Sequence, residues 1–233
     1  MDERTTGIIL RTRPLTETSL IVHWLTPDLG RLATVAKGAR RLKSPFAGKL
    51  DLFFCADFSF ARSRRSDLHA LREVSVRDFN PALRTNLAYL EQAAYFARLL
   101  ESTTETETPL PALYELFDGA LHFLRRQPPD NRAVLAFESR LLHELGFAPD
   151  LAQCPLTPAA RAAFMKIGQA EWSALAEVVL PNELCAEIGR FLRGWLIFHF
   201  DRVPPRRPGD SAFRKRDIIE HRASASFRVK DGE

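Results

Sequence analysis

The clearest chemistry in the chain lies in Val35-Ala36-Lys37-Gly38-Ala39-Arg40-Arg41-Leu42-Lys43-Ser44-Pro45-Phe46-Ala47-Gly48-Lys49. Five cations (Lys37, Arg40, Arg41, Lys43 and Lys49) fall within these fifteen residues, with no acid among them. Such a run can neutralise phosphates, and its glycines let main-chain amides approach a sugar-phosphate backbone. Arg31, just upstream, is a further candidate contact. Phe46, the run's only aromatic, either stacks on a base or anchors the loop by packing inward. A basic run is more often a solvated surface loop. Here the charges are dense, lack local partners and sit between apolar flanks (Leu32, Ala33 and Val35; Leu50, Leu52, Phe53 and Phe54), which favours nucleic acid. The competing reading is a loop that meets an acidic protein.

Nothing comparable points to bond-breaking chemistry. The six histidines are scattered, and His143-Glu144 lacks the second histidine of a helical zinc-protease motif. No phosphate-binding Gly-x-x-x-x-Gly-Lys-Ser/Thr loop occurs, and no Gly-x-Ser-x-Gly elbow. The reading is therefore a protein that binds and does not catalyse, with no cofactor. Cys55, Cys154 and Cys185 are odd in number and widely spaced, which suits a reducing cytoplasmic setting. No apolar run of eighteen residues is present, and the first six residues lack the apolar core of a signal peptide.

The charge is unevenly spread. Residues 1–80 carry 14 Lys and Arg against 9 Asp and Glu; residues 81–200 carry 10 against 14; residues 201–233 carry 9 against 6. A basic head, an acidic body and a basic tail suit a chain that meets a polyanion with part of its surface.

The elements that position the basic run are strands. Gly7–Arg11 begins one, Ser19–Leu25 makes a second, and Thr26-Pro27-Asp28-Leu29-Gly30 turns the chain into a third over Arg31–Lys37. Asp51–Phe60 alternates, with Leu52, Phe54, Ala56, Phe58 and Phe60 on one face. A second basic turn, Arg62-Ser63-Arg64-Arg65-Ser66, leads to a last strand over Leu68–Val76. Five short strands in about eighty residues suit a small closed barrel of the OB type. After Asn80-Pro81 the period becomes helical. Leu83, Leu87, Leu90, Ala94 and Ala97 mark a first helix; Leu113, Phe117, Ala120, Leu121 and Leu124 a second. Asp130 caps a third, buried through Val134, Phe137, Leu141 and Leu145 and stopped by Gly146. A fourth, through Leu184, Ile188, Phe191, Trp195 and Phe198, has apolar residues on its other sides too and is expected to be central and covered all round. A short helix over Ser211–His221, with Arg214, Lys215 and Arg216, and a mobile end from Ser224 complete the reading. The fold class is α+β: a barrel domain over residues 1–80, then an all-helical domain over residues 81–233 with a basic tail.

Several of these strings carry a resemblance. Gly7-Ile8-Ile9-Leu10-Arg11, Glu17-Thr18-Ser19-Leu20, Thr26-Pro27-Asp28-Leu29-Gly30-Arg31 and Val35-Ala36-Lys37-Gly38-Ala39-Arg40-Arg41 resemble the N-terminal domain of the RecO family of bacterial recombination mediators. Phe137-Glu138, Leu141-Leu142, Leu145-Gly146-Phe147, Pro149-Asp150-Leu151 and Cys154 resemble that family's helical domain. The resemblance is good over about residues 7–155 and weak beyond. It implies an OB-fold, single- and double-stranded DNA as ligands, and a place in recombinational repair. It also implies RecR and the C-terminal tail of single-stranded-DNA-binding protein as partners, with strand annealing and RecA loading as outcomes. That acidic, Phe-ended tail would need an apolar pocket beside a cation, for which Arg132 and Arg140 are candidates by position. Many relatives carry two Cys-x-x-Cys pairs that bind zinc. Here Cys154-Pro155-Leu156-Thr157 has only the first position, so residues 150–168 read as a degenerate zinc region without metal.

Overall fold

A computed structural model describes residues 2–204 and 207–208 of the chain. The proposed helix at 211–221, its three cations and the end from Ser224 lie outside the described residues.

Five strands come first: β1 (Asp2–Pro14), β2 (Leu20–Thr26), β3 (Gly30–Ala36), β4 (Cys55–Ala61) and β5 (Leu68–Asp78). They close into a barrel in the order β1-β2-β3-β5-β4, with β4 pairing back onto β1. All pairs are antiparallel except β3–β5. Period-two alternation puts Val22 and Trp24 of β2, Leu32 and Ala36 of β3, and Ala56, Phe58 and Phe60 of β4 into one interior cluster. Trp24 stacks on Phe58 at 4.0 Å, and its indole N–H donates to Thr34 Oγ1 at 2.8 Å, so the large ring is buried with its polar atom satisfied.

The strand expected over Asp51–Phe60 starts only at Cys55. Phe53 takes a positive φ of 64°, which breaks the alternation. Leu52 and Phe53 therefore join the helical side of the core, while Phe54 joins the barrel interior.

A one-turn 3-10 helix (Pro81–Arg84) leads into α1 (Leu87–Thr103), α2 (Pro111–Leu124), α3 (Asn131–Glu144), α4 (Pro158–Gln169), α5 (Trp172–Leu175) and α6 (Asn182–His199). Asp130 caps α3 by accepting from Ala133 N at 2.9 Å, and Gly146 ends the turn after it at φ +78°. The first helix is longer than its stripe suggested and is rotated: Leu87 is exposed, and Tyr95, Phe96, Leu99 and Leu100 are buried. The helix at the centre is α3, whose residues 133–139 are all buried and which packs against α1, α2, α4 and α6. Helix α6 is not covered all round. Ile188, Leu192 and Leu196 are buried, while Phe198 is 65 % exposed. Among the described residues α3 and α4 are its main helical neighbours, and its aromatic residues cluster with Phe147 and Phe200. Helix α4 occupies the later part of the stretch read as a degenerate zinc region, and α5 lies beyond it.

Barrel and helices share one core. Ile8, Leu10, Leu25 and Phe53 belong to the same apolar cluster as α1, α2 and α3. A polar seam runs beside it along the α1–α2 connection: Arg31 O accepts from Glu107 N at 2.7 Å, and Arg31 bridges Thr106. The Glu107 carboxylate is held by Arg62 and His69, each at 2.6 Å. Among the described residues no helix is long and apolar enough to cross a membrane.

Candidate nucleic-acid interface

The basic run connects β3 to β4 and is built from successive tight turns. Arg41 N donates to Gly38 O, Ser44 N to Arg41 O, Ala47 N to Ser44 O and Lys49 N to Phe46 O, at 3.0 to 3.1 Å. Gly38 and Gly48 sit at φ +70° and +69°, where a side chain would be strained. The loop is also held from outside. Arg40 N donates to Thr18 O at 3.0 Å and Gly38 N to Ser19 Oγ at 3.4 Å, so the β1–β2 connection buttresses it.

Phe46 roots the loop. It is 7 % exposed and belongs to the barrel's interior cluster, so it packs as an anchor. Lys37, Arg40, Arg41 and Lys43 are exposed beyond it. Lys49 lies further back, half-buried, on a groove of about 640 Å³ shared with Arg4, Arg72, Phe58 and Ser59. The structure thus leaves four of the loop's cations exposed and the fifth half-buried on the groove.

None of the five meets a carboxylate of the described residues within ion-pair distance. Several nearby acids are engaged elsewhere: Glu3 with Arg62 at 2.7 Å, Asp57 with Arg77 at 2.6 Å, Asp51 with Arg84 at 3.1 Å and Glu73 with Arg4 at 3.4 Å. Exposed cations left without a neutralising acid are available to a polyanion. Arg13 at the end of β1, and Arg64 and Arg65 in the β4–β5 turn, are likewise exposed and without an ion-pair partner among the described residues. Only the closed barrel places them on one small body with the loop.

Arg31 does not join this group. Its Nε donates to Thr104 Oγ1 at 2.7 Å, and its guanidinium also binds the Thr104 carbonyl. Burial depresses its pKa, partly offset by Glu101 and Glu105. It serves the seam between barrel and helices. Arg132 and Arg140 are committed too. Arg132 pairs with Asp130 and donates to the carbonyls of Ala176 at 2.8 Å and Val178 at 3.2 Å. Arg140 donates to Gly168 O at 3.2 Å and to the Ala170 carbonyl, and lies over the Trp172 ring at 4.4 Å. Both guanidinium groups tie α3 to the α4–α5 region and are not presented to a peptide carboxylate.

Cys154 is buried and its Sγ contacts Leu151 O at 3.3 Å, and Cys185 lies on α6. Among the described residues no three His, Cys, Asp or Glu side chains stand close enough to hold a metal ion.

The comparisons agree with the geometry over most of the chain. Residues 1–79 match the model "Recombination protein O N terminal", and residues 84–165 match "Recombination protein O C terminal". The chain is 34 % identical over 148 residues to the DNA repair protein RecO of Rhodopirellula baltica, covering 64 % of this chain and 55 % of that protein. It is 31 % identical over 166 residues to that of Syntrophus aciditrophicus, covering 69 % and 64 %. It is also 31 % identical over 166 residues to that of Bifidobacterium longum subsp. infantis, covering 70 % of this chain and 69 % of that protein. The match thus spans less than two thirds of the first two relatives' own length. Two family models in the expected order, on an OB-type barrel followed by helices, place this chain in the RecO family.

Proposed function

We infer that the chain is a non-catalytic DNA-binding mediator of recombinational repair. It would hold single- and double-stranded DNA through Lys37, Arg40, Arg41 and Lys43, with Lys49 in support. The observation that carries this reading is a rooted loop of exposed cations with no carboxylate of the described residues against it. With Phe46 buried, the loop has no aromatic platform, so affinity would come from phosphates and depend little on base sequence. RecR, the tail of single-stranded-DNA-binding protein and, indirectly, RecA are the partners proposed from the family. They would make the outcome strand annealing and RecA loading near the nucleoid.

Titration of fluorescent oligonucleotides at several salt concentrations tests the DNA reading. If all five cations contact phosphates, the log–log salt slope should reach roughly −3.5 on single strands and roughly −4.5 on duplex. Arg40→Glu with Arg41→Glu should abolish most binding and leave the melting temperature unchanged. A nearly flat salt dependence, or undiminished binding by that variant, would overturn the assignment and favour an acidic protein partner. A pull-down with RecR and with the tail peptide tests the partners separately.

A further inference from the structure

Leu42 is 102 % exposed, more than any other large apolar side chain among the described residues. It sits at an apex: Ser44 N donates to Arg41 O, so Leu42 and Lys43 are the two central residues of a tight turn. Such positions favour Gly, Asn, Asp or Ser, which satisfy the backbone locally, and leucine brings no such benefit. Arg41 and Lys43 flank it directly, both exposed. Phe46, four residues on, fixes the base of the loop inside the barrel, so the apex is carried on a rooted stem. The adjoining β1–β2 loop, bonded to this one through Thr18 and Ser19, carries Leu15, itself 45 % exposed.

An exposed apolar tip between two cations matches a known physical device. Cations take the phosphates on either side of a groove while an apolar wedge enters between base steps and partly unstacks them. We propose that Leu42 is such a wedge, inserting into the base stack of DNA held by Arg40, Arg41 and Lys43. The proposal rests on the DNA-binding reading above and adds a contact to bases, which phosphate binding alone does not include. It gives the loop a means of loosening paired or stacked bases without an aromatic residue or an energy source. Water is the alternative neighbour for Leu42, and displacing it onto base surfaces favours the inserted state.

The test uses the full chain and a short duplex carrying 2-aminopurine, whose fluorescence rises when it unstacks. The intact protein should raise the fluorescence on binding. Leu42→Ala should lose most of that rise and weaken binding by roughly tenfold. It should keep the same salt slope and melting temperature, because no phosphate contact and no buried side chain is removed. Leu42→Phe should restore the rise. Arg40→Glu with Arg41→Glu, in contrast, should flatten the salt slope. Binding by the intact protein without a fluorescence change would overturn the wedge while leaving the phosphate reading intact. So would a Leu42→Ala variant with unaltered affinity and fluorescence, which would point to a protein contact at this tip. Absence of DNA binding by the intact protein would overturn both.

Discussion

Two side chains outside the basic loop show how single residues hold this fold. Glu138 on α3 is fully buried, and Arg207, beyond α6, reaches back to bind it. Arg207 Nε donates to Glu138 Oε1 at 2.7 Å, the Tyr95 hydroxyl donates to the same oxygen at 2.5 Å, and Arg207 Nη1 donates to Gly189 O at 2.5 Å. Removing one partner leaves the other charged and dry. Arg207→Ala is therefore expected to destabilise the protein by about 3–5 kcal/mol in denaturant titration. His23 on β2 tells a pH story. Burial, together with Arg11, Arg13 and Arg31, lowers its pKa from 6.5 to about 4, and its Nε2 is buried without a hydrogen-bond partner among the described residues. The unfolded chain therefore binds a proton here between pH 6.5 and about 4 that the folded chain refuses. Stability should fall as pH drops through that window. Denaturant midpoints measured at pH 7 and pH 5 should show it, and His23→Gln should reduce the difference.

At the scale of elements, the basic loop and the α1–α2 connection are each held by one small feature. Phe46→Ala removes the loop's root from the barrel interior and should cost about 3–5 kcal/mol, as other buried Phe truncations do. It should also weaken DNA binding while every cation is still present, which separates loop order from loop charge. Gly30 opens β3 at φ +68°, and a Cβ there would lie 2.1 Å from Thr108 O. Gly30→Ala must therefore push the α1–α2 connection off the barrel, at a cost of order 1–3 kcal/mol, visible as a lower thermal midpoint. The element-level sequence reading succeeded where period and capping agreed. Leu113, Phe117, Ala120, Leu121 and Leu124 of α2 are all buried, and Asp130 caps α3 as expected. It failed for α6, whose apolar residues outnumber what its neighbours can cover. A helix rich in Phe and Trp looks central until the count of adjacent helices is known.

For the molecule as a whole, the shared core argues against two independent halves. Trp24 reports on the barrel, and Trp172 and Trp195 on the helices. Because Ile8, Leu10, Leu25 and Phe53 complete the helical core, these probes should unfold together in one transition. Separate transitions in single-tryptophan variants would show that the seam is weaker than its packing suggests. Charge is segregated on the same scale: Glu3, Asp57 and Glu73 pair with arginines of the barrel, while the loop's cations meet no carboxylate of the described residues within ion-pair distance.

Local rules within the chain itself determined the barrel's five strands, the helical remainder, the cationic loop between β3 and β4, and the family. Strand alternation, turn residues and charge density act over a few neighbours, so they are written in consecutive residues. Only the tertiary structure decided what each charge and ring faces. Arg31, Arg132 and Arg140 have the same guanidinium as Arg40 and Arg41, yet carbonyls distant in sequence claim them. Phe46 became a root because the closing barrel left an apolar interior beneath it, and Leu42 an exposed tip because none of the described residues folds over it. Partners that lie tens of residues apart are set by how the chain packs, and no local pattern records that.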